Sequence, residues 1–480
     1  MNTSDGNGDN ELLRENAPLK NTFFLVILTI TAAIGGFLFG YDTGIIGGAN
    51  LYIYDDLGYD TPIVLETVVS LTVVGAVFGA VAAGPFSDKK GRKPTIIVAD
   101  GAFIVGAVLM ACAPSVWVLM VGRFIVGLGV GSAAMVIPVY LAESAPRELR
   151  GTIVSVNVLF ITSGQLIAYC ICLALGDHWR WMLGLAAFPA AIQVGGMLFL
   201  PESPRFLYKI GKTEEGLNTL LKIRLNWRHR KYEFIEDEVR GIVESLKEEG
   251  NYSYKDQYRL LFKNCKRSAM VGIGLQCLQQ LCGINTAMYY GPQIMQVAGF
   301  DSSGRAAIVA SLPIAFANMV GTFISVGYID KLGRRSTLLY TIPPMVFFLL
   351  CLGTSFVFIT FMDAGEVVQY LAVFSLLVYI LSFSVGMGTC PWIVNSEIFP
   401  LNLRSAATSA STTANWVSNF IVSMTFASAI SFSAGRVGVW VVLAGFGVLS
   451  WFWVYRLLPE TKGKSLEEIL TMFQTRKEVD

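Results

Sequence analysis

Residues 87–93 read SDKKGRK and residues 329–335 read IDKLGRR, so one charged motif occurs twice in the chain. A second motif follows each copy at a similar distance, with ESAPRELRG at 143–151 and EIFPLNLRS at 397–405. All four motifs follow apolar stretches, and their order is the same in both copies. A repeat of this kind predicts a chain built from two similar halves.

The composition predicts a membrane protein. Hydrophobic residues make up 54% of the 480 residues and charged residues only 15%, against about 25% charged in soluble domains. A spanning helix needs about 20 mostly apolar residues. Twelve such stretches lie near 22–48, 63–86, 95–113, 115–141, 152–175, 180–200, 268–291, 304–328, 336–360, 367–395, 404–431 and 437–458. The predicted fold is an all-α membrane protein with twelve transmembrane helices in two pseudo-symmetric six-helix halves.

Polar segments divide the chain into five parts. A polar, acidic tail (1–21), without the pattern of a secretory signal, precedes the first bundle (22–200). A polar linker (201–267), with the pattern of short amphipathic helices, precedes the second bundle (268–458) and a tail (459–480). Lys and Arg follow the even-numbered spans, which predicts that both termini lie in the cytosol.

Several function classes have no support in the sequence. The net charge of +1 predicts no nucleic-acid partner, and two histidines remote from any cysteine cluster predict no metal site. We find no P-loop or nucleophile elbow, so neither an enzyme nor an ATP-driven pump is expected. The one glycine-rich run, GLGVG at 127–131, predicts close helix packing.

The motifs together resemble those of a sugar porter of the major facilitator superfamily, over about residues 22–470. The resemblance is carried by GFLFGYDTGIIGGA (36–49), VGRFIVGLGVG (121–131), PESPRFL (201–207), QQLCGINTAMYY (279–290) and PETKGKSLEEI (459–469). The segment GMGTCPWIVNSEIFPLNLRS (386–405) is similar to that of proton-coupled myo-inositol transporters, as are VSVNVLFITSGQ (154–165) and NWVSNFIVS (415–423). Several of those transporters carry a large insert between spans nine and ten, and this chain has only a short loop there.

The resemblance implies a polyol or monosaccharide substrate, whose hydroxyls uncharged amides can bind. The positions that match substrate contacts of the family are Gln165, Gln279, Gln280, Asn285, Trp392 and Asn415. Asn318 is added because it is an amide in an apolar helix. Gly283 predicts a local break in span seven that lines a cavity. Alternatively, these amides join helices to one another.

Asp42 and Arg123 are opposite charges in otherwise apolar spans, where ionisable groups are candidates for function. The resemblance implies that an aspartate at position 42 couples transport to protons. A static buried ion pair is the alternative. Asp100, in span three, is a rival coupling residue, whereas Glu66 is expected to be solvated at the end of span two.

The repeated motifs place acids beside bases at the ends of neighbouring spans. These residues can pair across the cytoplasmic face and form a gate, or they can act only as signals of topology. The predicted gate residues are Asp88, Arg92, Glu143, Arg150, Asp330, Arg334, Glu397 and Arg404.

The sequence thus predicts a proton:myo-inositol symporter that works by alternating access. A proton-coupled hexose or pentose symporter, a facilitative sugar carrier and a transporter-like nutrient sensor are the alternatives. No cofactor is expected, the proton gradient being the driving force. We further expect a functional monomer in the lipid bilayer, with the plasma membrane favoured over an internal or vacuolar membrane.

Overall fold

The computed structural model describes residues 22–58, 61–146, 149–224, 233–249, 254–299, 304–362, 365–400, 403–464 and 466–473. Their long elements are all α-helices. The first half contains α1 (Thr22–Leu57), α2 (Pro62–Lys90), α3 (Arg92–Ala111), α4 (Val116–Ser144), α5 (Arg150–Leu175), α6 (Trp179–Gly184) and α7 (Ala187–Phe199). The linker region contains α8 (Pro204–Lys209), α9 (Thr213–Arg224), α10 (Glu233–Glu249) and α11 (Tyr254–Asn264).

The second half begins with span seven, which consists of α12 (Lys266–Leu281), α13 (Ile284–Tyr289) and α14 (Gly291–Val297). It continues with α15 (Gly304–Leu332), α16 (Arg334–Phe361), α17 (Glu366–Val385), α18 (Cys390–Glu397), α19 (Arg404–Ile430), α20 (Ser433–Leu457) and α21 (Leu466–Phe473).

Ten helical segments of the described chain are long and apolar enough to cross a membrane. The predicted spans seven and eleven are missing from that set for separate physical reasons. Span seven is interrupted, which leaves α12 only 16 residues long, and α19 is rich in Ser, Thr and Asn. With these two the count is twelve, in two halves of six.

An even number of spans returns the chain to the side on which it began. The start of α1 and the end of α20 therefore lie on one face of the bundle, which we call the terminal face, and the opposite face is the far face.

Glycines let the helices of the first half touch along their backbones. A Cβ atom on Gly131 of α4 would overlap the carbonyl of Ala76 on α2, and one on Gly127 would overlap the carbonyl of Thr72. A Cβ on Gly40 of α1 would likewise meet the carbonyl of Ile161 on α5. The GLGVG run is thus a packing surface, as the sequence predicts.

Span seven breaks at Gly283, whose φ of 87° lies in the left-handed region that glycine adopts without strain. The break frees backbone carbonyls, and tyrosines satisfy them from neighbouring helices. Tyr379 Oη donates to the carbonyl of Cys282 at 2.8 Å, and Tyr169 Oη donates to that of Met288 at 2.6 Å. An irregular backbone within a membrane protein requires such partners.

The linker helices dock on both halves. Arg224 on α9 donates through Nη1 to the carbonyl of Ser144 at the end of α4 at 2.7 Å, and it pairs with Glu238 on α10 at 2.7 Å. Tyr258 on α11 donates through Oη to Oγ of Ser409 on α19 at 3.1 Å. The linker therefore contacts the ends of spans four and eleven.

We predict that Gly131→Ala destabilises the protein, because the added methyl group forces α2 and α4 apart; overpacking of this kind costs about 1–3 kcal/mol. The melting temperature of purified protein should fall. Gly101→Ala is the matched control, because a Cβ there meets open space. Equal melting temperatures for the two variants would contradict the close approach of α2 and α4.

Candidate solute and proton sites

Four amide side chains form a connected cluster between spans seven and eleven. Asn415 Nδ2 donates to Oε1 of Gln279 at 2.8 Å, and its Oδ1 accepts from Nε2 of Gln280 at 3.1 Å. Asn285 Nδ2 donates to Oε1 of Gln280 at 2.9 Å. These groups are all buried. The structure thus brings Gln279, Gln280, Asn285 and Asn415 together beside the break in span seven.

Gln276 is a member of this cluster that the sequence analysis missed. Its Oε1 accepts from Asn415 Nδ2 at 2.6 Å, and its side chain is fully buried. The signal was available, because Gln276 lies one helical turn before Gln280 and therefore on the same helix face.

Gln165 and Asn318 join the two halves of the molecule. Asn318 Nδ2, on α15 of the second half, donates to Oε1 of Gln165, on α5 of the first half, at 2.6 Å. Oδ1 of Asn318 accepts from Oγ of Ser384 at 2.5 Å. This amide bridge crosses the interface where a transporter of two halves binds its solute.

Span ten is also broken, between α17 and α18, and Gln279 contacts the break. Its Nε2 donates to the carbonyls of Met387 at 2.6 Å and Gly388 at 3.3 Å. Trp392 follows on α18, where its side chain is partly buried. Gln279 thus links the irregular segments of spans seven and ten.

The structure brings Asp42 and Arg123 into direct contact. Nη1 of Arg123, on α4, lies 2.5 Å from Oδ1 of Asp42, on α1, and both side chains are almost fully buried. Nε of Arg123 donates to the carbonyl of Val68 on α2 at 3.1 Å. One guanidinium therefore ties together three helices of the first half.

Two further acids in the spans differ from each other. Asp100 is buried, and neither carboxylate oxygen has a hydrogen-bond partner among the described residues. Glu66 was expected to be solvated, and that expectation is wrong. The Glu66 side chain is only 1% exposed. Its two carboxylate oxygens accept hydrogen bonds from N and Oγ of Ser428 at 2.6 and 2.7 Å. Since Glu66 is on α2 and Ser428 on α19, this contact joins the halves near the far face.

Charged clusters lie at the terminal face of each half. In the first half, Arg92 Nε and Nη2 each lie 3.0 Å from an oxygen of Glu143, and Arg92 Nη1 lies 3.5 Å from Asp88. Ser203 Oγ donates to Glu143 at 2.5 Å. In the second half, Arg334 pairs with Glu397 at 2.8 Å, and Thr461 Oγ1 donates to Glu397 at 2.7 Å.

The ion pairs of Arg92 with Glu143 and of Arg334 with Glu397 join neighbouring helix ends, and each pair lies within one half. The reason is that each arginine begins a helix beside the end of another helix in its own half. Arg404 donates to the carbonyl of Phe399 at 3.3 Å, also within its half. The side chains of Arg150 and Asp330 are not among those that the structure describes. A role for these residues in gating stays a prediction.

Glu202 and Glu460 complete the two clusters, and the sequence analysis did not assign them. Glu202 accepts from the backbone N–H of Arg92 at 3.0 Å, and Glu460 accepts from that of Arg334 at 2.8 Å, so each caps the start of a helix. Burial raises the pKa of the Glu202 carboxyl, and backbone hydrogen bonds oppose that rise. Each of the two glutamates follows the first proline of its motif, PESP or PETK, and this shared position was the sequence signal for their common role.

Chemically, the spans hold uncharged donors and acceptors in the amide cluster and a buried ion pair between Asp42 and Arg123. Such a set suits hydroxyl groups better than an ionic solute. Within the described ranges, no group of three His, Cys, Asp or Glu side chains is placed to hold a metal ion.

Comparisons with known proteins agree on one family. A family model described as Sugar (and other) transporter matches residues 28–473. Probable inositol transporter 2 of Arabidopsis thaliana is 36% identical, over 98% of this chain and 95% of that protein. The Proton myo-inositol cotransporter of Homo sapiens is 34% identical, over 94% of this chain and 82% of that protein. The D-xylose transporter of Levilactobacillus brevis is 37% identical, over 91% and 93%.

Among solved structures, the proton:xylose symporter XylE of the major facilitator superfamily, bound to 6-bromo-6-deoxy-D-glucose, matches with a TM-score of 0.81 at 28% identity. The match covers 95% of this chain and 100% of that one, which confirms the predicted fold. These relatives are multi-pass membrane transporters and not enzymes. The chain belongs to the sugar transporter family.

Proposed function

We propose that the chain is a proton:myo-inositol symporter that works by alternating access, with its terminal face in the cytosol. The observation that carries the proposal is that one protein holds both a buried Asp42–Arg123 pair and a buried cluster of uncharged amides within its spans. The names of two relatives, an inositol transporter of Arabidopsis thaliana and a proton myo-inositol cotransporter of Homo sapiens, support the same solute and driving ion.

The solute site is the amide cluster together with the Gln165–Asn318 bridge. In the described state these amides bond to one another, so a bound polyol must replace amide–amide hydrogen bonds with amide–hydroxyl ones. Because the bridge joins the two halves, a solute that replaces the hydrogen bond between Gln165 and Asn318 contacts both halves at once. Trp392 offers an apolar face for the C–H groups of the ring.

The proton site is Asp42. A buried carboxylate needs a compensating charge, and Arg123 supplies it. Protonation of Asp42 would weaken the pair and leave Arg123 with its contact to the carbonyl of Val68. The packing of α1 against α2 and α4 can therefore change when Asp42 binds or releases one proton.

A proton-coupled pentose or hexose symporter is the second candidate. It is favoured by the name of the Levilactobacillus brevis relative and by the solved proton:xylose symporter, because both belong to the same family and match over nearly the whole chain.

We predict that purified protein in proteoliposomes takes up radiolabelled myo-inositol when the outside is acidic, and that unlabelled myo-inositol competes better than glucose or xylose. The amide cluster can bind hydroxyls of any of these rings, so competition decides among them. Full competition by xylose with none by myo-inositol would favour the second candidate.

Gln280→Ala is expected to weaken solute binding more than tenfold while the protein stays folded. The variant removes the proposed solute contacts and takes away the partner of Asn285 Nδ2 and of Asn415 Oδ1, and each unpaired group costs about 1–3 kcal/mol. Isothermal titration with myo-inositol measures the change. Gln193→Ala is the control, because Gln193 is a buried amide whose Nε2 bonds to the carbonyl of Ala32, away from the cluster. An unchanged affinity in Gln280→Ala would assign Gln280 to helix packing.

Asp42→Asn is expected to abolish accumulation driven by a proton gradient and to spare exchange of solute across the membrane. Asparagine keeps the shape but cannot take up the proton. One proton moving down about 100 mV provides about 2.3 kcal/mol, enough for roughly fifty-fold accumulation. Uptake and counterflow in proteoliposomes measure the two activities. Asp100→Asn is the matched control and should still accumulate solute. If Asp42→Asn accumulates solute and Asp100→Asn does not, Asp100 is the coupling residue.

Glu66→Ala is expected to favour states that are open at the far face, because it removes both hydrogen bonds to Ser428 across the halves. Met424 on α19 contacts Ser70 on α2 across the halves. A cysteine introduced there as Met424→Cys reports opening of the far face, because its rate of reaction with an impermeant thiol reagent rises when the face opens. The rate should rise severalfold above that in the same background with Glu66 intact. Glu214→Gln, on linker helix α9, should leave it unchanged. Equal rates with and without Glu66 would show that this contact does not hold the far face closed.

A further inference from the structure

Three buried side chains lie between the amide cluster and the terminal face and carry polar atoms without a hydrogen-bond partner in the described part of the chain. These atoms are Nε2 of Gln276, Oδ1 of Asn395 and Oγ of Ser411. The residues are 0%, 4% and 0% exposed, so solvent does not reach them in this state.

The three side chains belong to one neighbourhood of the second half. Oδ1 of Asn395, on α18, lies directly over Gly272 of α12, because a Cβ added there would be 2.5 Å from it. Gln276 is one turn further along α12 and bonds to Asn415 of α19, and Ser411 is one turn before Asn415. The unpaired atoms therefore extend the amide cluster by about one helical turn toward the terminal face.

The three atoms are distinguished by their position beside the amide cluster. Other buried hydroxyls of the same half are paired, such as Ser325 Oγ, or unpaired among the described residues, such as Ser375 Oγ, but the three adjoin side chains that already bond to one another through amides. Leaving a buried polar group unpaired costs free energy, so a solute hydroxyl that reaches these atoms gains hydrogen bonds without displacing existing ones.

We propose that Gln276, Asn395 and Ser411 form a second hydroxyl-binding subsite, which the solute contacts together with the amide cluster as the terminal face opens. The inference rests on the proposed function, because it takes a polyol as the solute. The orientation of Gln276 is set by Asn415, which occupies its Oε1 and leaves Nε2 as a donor. Oδ1 of Asn395 is an acceptor, and Oγ of Ser411 can donate or accept. The three atoms together therefore match adjacent hydroxyls of a ring.

This subsite selects for a cyclitol. A cyclitol carries a hydroxyl on every ring carbon, whereas a pentopyranose has a ring oxygen and fewer hydroxyls. A solute held by the amide cluster at one edge can therefore reach the subsite with its opposite edge only if hydroxyls are present there. Asn395 lies in the PWIVNSEI segment (391–398), in which the sequence resembles inositol transporters.

The test compares Asn395→Leu and Ser411→Ala with the wild type, each as full-length purified protein titrated with myo-inositol and with D-xylose. We expect affinity for myo-inositol to fall about fivefold or more in each variant, and affinity for xylose to change less than about twofold. The melting temperature should stay the same or rise, because each substitution removes an unpaired buried polar atom. Ser325→Ala is the control: it removes a paired hydroxyl, so its melting temperature should fall while the ratio of the two affinities stays unchanged.

Two results would overturn the subsite while leaving the proposed function intact. One is that the wild type binds myo-inositol and the variants bind it with the same affinity. The other is a parallel loss of both affinities with a lower melting temperature, which would show that the side chains only join helices. If Asn395→Leu fails to fold, Ser411→Ala decides by the same criteria. A wild type that binds no myo-inositol would instead refute the proposed function, and the subsite with it.

Discussion

The hydrocarbon core of a bilayer offers no hydrogen-bond partner, so each polar group that this chain carries into its spans must find one inside the protein. The interruption of span seven shows how the constraint is met. Gly283 supplies the left-handed backbone, and Tyr379 and Tyr169 satisfy carbonyls on either side of the break. The amides then bond to one another, and Arg123 pairs with Asp42.

Contacts between the halves include hydrogen bonds between buried side chains. Asn318 bonds to Gln165 in the middle, and Ser428 bonds to Glu66 near the far face. At the terminal face, Glu202 and Glu460 accept from the backbone at the starts of α3 and α16, each within its own half. Hydroxyls or water can replace hydrogen bonds of this kind between the halves, as the alternating access that we propose requires.

The sequence predicted the number of spans, the repeat, the break at Gly283 and the contact of Asp42 with Arg123, because hydropathy, motif order and charge in an apolar span are local signals. It failed where the outcome depends on how helices are rotated against each other. Glu66 was expected in solvent, yet α19 covers it. Which acid each arginine of the repeated motifs meets also depends on helix rotation, and Arg92 and Arg334 each meet a glutamate of their own half. Gln276 was missed although its spacing of one helical turn from Gln280 places it on the same helix face, where it accepts from Asn415.

The central claim is that one chain moves a polyol and a proton together. The most direct measurement is the external pH of a weakly buffered suspension of proteoliposomes, with no gradient imposed beforehand, when myo-inositol is added. The account predicts a transient alkalinisation outside that follows the inflow of solute and is absent from liposomes without protein. Inflow of myo-inositol at the same rate with no change in external pH would contradict it.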